Sequence, residues 1–404
     1  MLNNLTDKQK EFWKNCNHRW NIKSGATRSG KTFLDYYLIP KRIREISDKD
    51  GLCVLMGNTK GTLQRNIIAP LQNIWGTKLV GNIKTDNTAN IFGEKVYCLG
   101  ADKINQVDKL RGSSIKYCYG DEVVTWHEDV FNMLKSRLDK DYSKFDGTCN
   151  PEHPKHWFKK FIDSDADVYS QEYMLDDNLF LPVSVKENIK REYYGSIFYD
   201  RYVLGKWVNA EGLIYRLIAD EPDRYIVDKK KLPPLHSFNI GIDFGGNKSG
   251  HAIVLSAIGP DDTLYFLKTD YKDAEGTESG QVIDWCIRKA EEFNKEYPYS
   301  FDMYPDSAEQ LLINSIASKS RFNVYNSIKC PIIDRVRVMQ KLMARDKVKF
   351  VEGECEELIR AFSEALWDSK SLEDKRLDNG TFNNDIIDAA EYSFTYNMSI
   401  FERC

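Results

Sequence analysis

The sequence predicts an α/β protein of two domains, the first on a parallel sheet and the second with a different order of strands and helices. Three observations lead there. Residues 25–32 read Gly-Ala-Thr-Arg-Ser-Gly-Lys-Thr, a complete match to the phosphate-binding pattern GxxxxGK[ST]. Short, largely apolar runs then alternate with helical stretches, as in strands buried on both faces of a parallel sheet. Past residue 235 the order changes to three strands, a helix, a strand and a late acidic helix. The 404 residues accommodate two domains of about 200 residues each.

Composition narrows the class. With 42% hydrophobic and 29% charged residues the chain has an ordinary globular balance rather than that of a disordered one. No apolar run approaches the roughly 20 residues of a membrane span, and the N-terminus lacks the apolar core of a signal peptide, so a cytosolic protein is expected. Nine cysteines lie scattered without a CxxC pair, in stretches such as Leu52-Cys53-Val54 and Tyr117-Cys118-Tyr119. Buried free thiols fit this pattern better than disulfides or zinc ligands. The formal net charge of −4 offers nucleic acid no global attraction, so any DNA contact must come from local basic patches.

Taken in order, Leu5-Thr6-Asp7-Lys8-Gln9 opens an amphipathic helix with a capping residue. Gln9 carries an amide able both to donate and to accept, which suits the edge of an adenine. In the loop, Gly25, Thr27, Arg28, Ser29 and Gly30 set backbone N–H groups around phosphates. Lys31 reaches the β- and γ-phosphates of ATP, and the Thr32 hydroxyl ligates Mg²⁺. A helix across Phe33 to Ile43 would aim its N-terminal dipole at the same phosphates. Strands are expected at Leu52 to Gly57, Lys95 to Leu99, Ile115 to Tyr119 and Phe145 to Cys149. The third ends in Asp121-Glu122, where Asp121 would bind Mg²⁺ and Glu122 would polarise the attacking water. The fourth closes on Thr148-Cys149-Asn150-Pro151, bringing polar side chains beside a γ-phosphate. Arg111, just ahead of the third strand, is a candidate arginine finger. Residues 1–175 thus form a P-loop NTPase domain of the RecA/ASCE kind. From 176 to 235 the periodicity weakens around Pro182, Gly195, Gly205 and Pro233-Pro234, giving a helical lid or linker.

Residues 236–404 follow a different plan. Phe238 to Gly246 form a strand carrying Asp243, and strands at His251 to Ile258 and Leu264 to Thr269 come next. A helix across Ser279 to Glu296 leads to a short strand that ends at Asp306, and a late helix carries Asp385 and Asp388 three apart on one face. This is the ribonuclease H-like order. Carboxylates from its first strand, fourth strand and last helix converge on two divalent ions, Mg²⁺ or Mn²⁺, about 4 Å apart, which activate water for phosphodiester cleavage. Arg335, Arg337, Lys341, Arg345, Lys347 and Lys349 form the most basic stretch, expected to track a DNA backbone.

The ordered set resembles the large terminase subunit of tailed bacteriophages, most of all the branch found in prophages of Gram-positive bacteria. The resemblance rests on the Leu-Thr-x-x-Gln opening, Gly-x-x-Arg-Ser-Gly-Lys-Thr, Arg-Gly ahead of Tyr-Gly-Asp-Glu, and Thr-Cys-Asn-Pro. It continues through Gly205-Lys206-Trp207-Val208, Glu211-Gly212-Leu213-Ile214-Tyr215, Gly241-Ile242-Asp243-Phe244-Gly245 and the closing Asn384-Asp385-Ile386-Ile387-Asp388-Ala389. It implies an ATP-driven motor that moves double-stranded DNA into a procapsid, joined to an endonuclease that cuts concatemeric genomes. It also implies a small terminase subunit and a portal protein as partners, a homo-oligomeric ring during packaging with a monomer in solution, and action in the cytoplasm of the bacterial host. Carried onto this chain, Lys31, Thr32, Asp121 and Glu122 run hydrolysis and Thr148 to Asn150 couple it to movement. Asp243, Asp306 and Asp388 bind the nuclease metals, with Asp385 auxiliary. Arg28 becomes a second candidate for the finger, and the choice between it and Arg111 stays open. Two other readings share these motifs: a helicase-like or repair ATPase with the same nuclease fold, and an ATP-gated DNA clamp.

Overall fold

The computed structural model describes residues 5–104, 106, 110, 112–245, 250–274, 278–371, 373–378 and 383–403. The chain divides into two compact units, Met1–Ile189 with Ile197–Asn209, and Lys190–Ser196 with Ala210–Cys404. The stretch 176–235, expected as a lid or linker, is divided between them. It contains the helices Val183–Tyr193, Ile197–Tyr202 and Arg216–Asp220.

The first unit is built on seven strands: β1 (Trp20–Gly25), β2 (Leu52–Gly57), β3 (Thr88–Ile91), β4 (Glu94–Gly100), β5 (Ile115–Gly120), β6 (Lys144–Cys149) and β7 (Val168–Tyr173). Their order is β3-β4-β2-β5-β6-β1-β7. All neighbours run parallel except the β3–β4 pair at the edge. Side chains alternate between the sheet's faces, and both faces carry a core. Val54, Met56 and Cys118 join Phe131, Phe145 and Phe158 in one cluster. Cys53, Leu55, Tyr117 and Tyr119 join Ile39, Ile43 and Leu71 in another. This double burial explains the continuous apolar runs of β2 and β5.

β1 breaks that pattern and was not foreseen as a strand. Its sequence Trp-Asn-Ile-Lys-Ser-Gly is polar at alternate places yet wholly buried. Each polar group has a partner. The Asn21 amide donates to Phe145 O at 3.3 Å, Lys23 pairs with Asp35 of the helix Lys31–Glu45 at 2.7 Å, and Ser24 Oγ accepts from Trp207 Nε1 at 2.9 Å. Buried charge is tolerated only when paired, and the Lys23–Asp35 pair fastens the helix after the phosphate loop to the strand before it.

The second unit carries β8 (Ile226–Val227), β9 (His236–Asp243), β10 (Gly250–Ile258), β11 (Leu264–Asp273), β12 (Asp302–Pro305), β13 (Asn323–Val324) and β14 (Val348–Val351). They stand in the order β13-β12-β9-β10-β11-β14-β8. β9, β10 and β11 form an antiparallel meander, while β12 runs parallel to β9 and β14 parallel to β11. The helix Asn384–Thr395 packs across β9 at Gly241, where an added Cβ would lie 1.8 Å from Ala389 O. Only a glycine admits so close an approach, and it sets Asp243 at the strand end beside the acids of that helix.

Cys16, Cys53, Cys98, Cys118, Cys149, Cys286 and Cys355 are free and buried, and Cys330 is half-buried. Among the described residues no helix is long and apolar enough to cross a membrane.

Candidate functional sites

The loop after β1 closes around its own lysine. Lys31 Nζ donates to Gly25 O at 2.8 Å and Ala26 O at 2.6 Å, and contacts Ser29 Oγ at 3.4 Å. It also reaches Asn150 Oδ1, at the end of β6, at 3.1 Å. Burial lowers this ammonium to about 8, against the opposing pull of Glu122 and Asp121. Arg28 holds a left-handed backbone at φ 56°. Its side chain is exposed, with no partner among the described residues, whereas its carbonyl accepts from the Asn178 amide at 2.8 Å. Thr27 and Thr32 are partly exposed beside it.

Gln9 is buried against the loop. Its Nε2 donates to Gly30 O at 2.8 Å, and its Oε1 accepts from Thr6 N at 2.9 Å in a capping box. The amide expected at an adenine edge therefore ties the first helix to the phosphate loop. Asn178 was missed from the sequence because an asparagine in a polar turn carries no motif.

The acidic pair stands at the end of β5, with β6 separating it from β1. Asp121 is buried and accepts from Asn66 Nδ2 at 3.1 Å and Thr148 Oγ1 at 3.2 Å. Burial raises its carboxyl. Glu122 adopts a left-handed φ of 50°, and desolvation followed by the charge of Asp121 raises its carboxyl. Hydrogen bonds thus link the carboxyl ends of neighbouring strands in a row, from Lys31 to Asn150 and from Thr148 to Asp121, the position at which open α/β sheets bind ligands. Arg111 lies outside the described residues.

In the second unit four carboxylates gather. Asp243 is buried at the end of β9, and its carboxyl is held well above the usual range by burial and then by Asp388, Asp385 and Asp306. Asp306 follows β12 and donates its N–H to Ile242 O at 2.9 Å, beside Asp243. Asp385 accepts from Gly250 N at 2.7 Å. Asp388 accepts from Arg335 at 3.1 Å and from Arg376 at 3.4 Å. Both arginines also grip the buried Glu391, at 2.8 and 2.6 Å. Among the described residues no three His, Cys, Asp or Glu side chains are drawn close enough to hold a metal ion. The donor chemistry suits a hard divalent cation, and the mutual repulsion around Asp243 is what such a cation would relieve. Both arginines meet the same oxygen of Asp388, Oδ1. Glu391 lies three residues beyond Asp388 on the same helix, and that spacing was its only signal in the sequence.

The basic stretch departs from expectation. Arg335 is buried on the two acids just described. Arg337 pairs with Asp334 at 3.2 Å, Arg345 and Lys341 with Glu192, Lys347 with Asp261 at 2.6 Å and Lys349 with Asp346 at 2.9 Å. The helix Ile332–Ala344 buries Val336, Val338, Met339, Leu342 and Met343, so its cations flank a packed face, and each cation of the stretch is paired with an acid nearby in the chain or brought to it by the fold.

A family model described as terminase large subunit, T4likevirus-type, N-terminal, matches residues 22–219. Among solved structures, the large terminase of a thermophilic bacteriophage is similar at 25% identity, covering 96% of this chain and 98% of its own, with a TM-score of 0.76. The same thermophilic-phage terminase in complex with ADP is also 25% identical, covering 97% of this chain and 99% of its own, at a TM-score of 0.73. No curated protein sequence matches.

Proposed function

Since this chain belongs to the large terminase family, we propose that it is an ATP-driven motor translocating double-stranded viral DNA into a procapsid and a metal-dependent endonuclease cutting concatemeric DNA. The observation that carries the motor half is the contact of Lys31 with Asn150, which links the phosphate loop to the strand that also supports Asp121. The similar terminase of the thermophilic phage binds ADP, and the loop here has the residues for the same ligand. Lys31 neutralises the transferred phosphate, Thr32 and Asp121 hold Mg²⁺, Glu122 orients the attacking water, and Asn150 responds to loss of the γ-phosphate. Gln9 fixes the loop from beneath, and Arg28 is the described candidate for the finger, Arg111 being the other.

In the nuclease half, Asp243, Asp306 and Asp388, with Asp385 auxiliary, would hold one or two divalent ions. Such ions supply an activated water and stabilise the leaving oxygen. The chain's own contribution is a buried carboxylate at Asp243 and an Asp388 oriented by two arginines on its Oδ1. Residues 1–175 supply the ATPase, 236–404 the nuclease and 176–235 the lid. The protein acts in the cytoplasm of the bacterial host on DNA, with a small terminase subunit and a portal, as a monomer in solution and a ring when packaging.

Paired substitutions test the assignment. Lys31→Ala should lower ATP hydrolysis by at least about 100-fold while leaving plasmid cleavage in Mn²⁺ intact. Asp243→Ala should do the reverse. Retained cleavage in Asp243→Ala would overturn the metal assignment.

A further inference from the structure

Beside the acidic cluster of the second unit opens a cleft of ≈ 390 Å³ whose walls include Asp306, Ser307, Ser327, Lys329, Arg335 and Tyr392. Only Asp306 belongs to the carboxylate set. The rest of the wall sets two cations, Lys329 and Arg335, and the hydroxyls of Ser307, Ser327 and Tyr392 among the apolar Ala308, Ile328 and Pro331. Lys329 is exposed, with no partner among the described residues. Arg335 is the reverse: its side chain is 6% exposed. Its Nη1 is engaged by Asp388 and Glu391, but its Nε–H has no acceptor. A buried guanidinium N–H left unpaired costs free energy. The face of Arg335 lies over the Tyr392 ring, 5.3 Å from its centroid. Glu391 and Arg376 support it from behind, the latter two joined at 2.6 Å. Ser327 is buried, and its Oγ accepts from Ser307 N at 3.0 Å, holding one wall in shape.

We infer that this cleft is a subsite for a backbone phosphate of the DNA strand, gripped by Arg335 and Lys329 immediately beside the cleaved bond. The inference rests on the nuclease reading and deepens it. A phosphate is the acceptor whose oxygens match a guanidinium fork and an ammonium together.

The test measures oligonucleotide duplex binding by fluorescence anisotropy without divalent metal, and steady-state cleavage in Mn²⁺, for the full chain and for Lys329→Ala, Arg335→Lys and Asp243→Ala. Lys329→Ala should weaken binding severalfold, reduce the slope of log affinity against log salt by about 1, and raise KM with little change in kcat. Arg335→Lys keeps the charge but loses the fork, and should weaken binding as well, because an ammonium cannot span two phosphate oxygens. Equal affinity, salt slope and KM for Lys329→Ala and the parent chain would overturn the inference. If the parent chain binds but does not cleave in Mn²⁺, the nuclease reading fails, and the binding comparison still decides whether the cleft takes a phosphate.

Discussion

His156 shows how a single side chain outside the candidate site residues can carry a pH dependence. Burial lowers its imidazole from the ordinary 6.5 to about 4, with the neighbouring His153 adding to the effect. In its neutral form Nδ1 accepts from Phe158 N at 3.2 Å and caps the helix Trp157–Ile162. Between those two values the unfolded chain binds a proton that the folded chain does not, so the contribution is intact above about 6.5 and is lost as pH falls toward about 4. Denaturant midpoints of the full chain should drop across that window. His156→Asn keeps an acceptor for the Phe158 N–H and cannot titrate, so its midpoints should fall less steeply. Parallel slopes for the two proteins would exclude His156 as the source. At the same scale, Asp121, Lys31 and Asp243 were legible because each ends a motif or an apolar strand. Asn178, Glu391 and Arg376 were not, since their roles depend on which groups the fold sets opposite them.

At the level of elements, the segment after the helix Ile197–Tyr202 acts as a brace for the phosphate loop. Gly205 sits at φ 72°, and a Cβ there would lie 2.4 Å from Tyr173 O and 3.2 Å from Ala26 N. Two residues on, Trp207 donates to Ser24 at the end of β1. The glycine of the Gly-Lys-Trp motif is therefore required both by its left-handed backbone and by the closeness of β7. Gly205→Ala should destabilise the protein by about 1–3 kcal/mol and weaken ADP binding, because relief of the clash moves β7 or the loop entry. Unchanged calorimetric stability and ADP affinity would show that the brace is dispensable. The basic helix Ile332–Ala344 teaches the opposite lesson. Its charges are conspicuous in sequence, but position on the helix, not number, decides that they meet acids, and Glu192, a partner of two of them, is remote in the chain.

For the whole molecule, each unit has cores of its own, the first on both faces of its parallel sheet and the second around Ile240, Leu255, Trp285, Phe293 and Met303. Heating should therefore resolve two transitions rather than one. ADP with Mg²⁺ at 100 times its Kd should stabilise the first unit by about 2.7 kcal/mol and leave the other transition in place. Lys31→Ala should abolish that shift. A single transition displaced as a whole by ADP would show that the units unfold together.

From the sequence alone came the phosphate loop, the acidic strand end at Asp121-Glu122, the change of plan after residue 235 and the three acids Asp243, Asp306 and Asp388. All of these depend on local pattern: glycine spacing, apolar runs and short-range order. The strands β1, β7 and β14 and the supporting residues were decided by tertiary structure. Lys23 is admissible inside β1 only because Asp35 comes back to meet it, and Gly241 is a strand glycine only because a helix nearly 150 residues later needs its space. The same holds at the acidic cluster. The candidate carboxylates were marked by their spacing, but what holds Asp388 and Glu391 is set by Arg335 and Arg376, whose charge is compensated through space rather than along the chain.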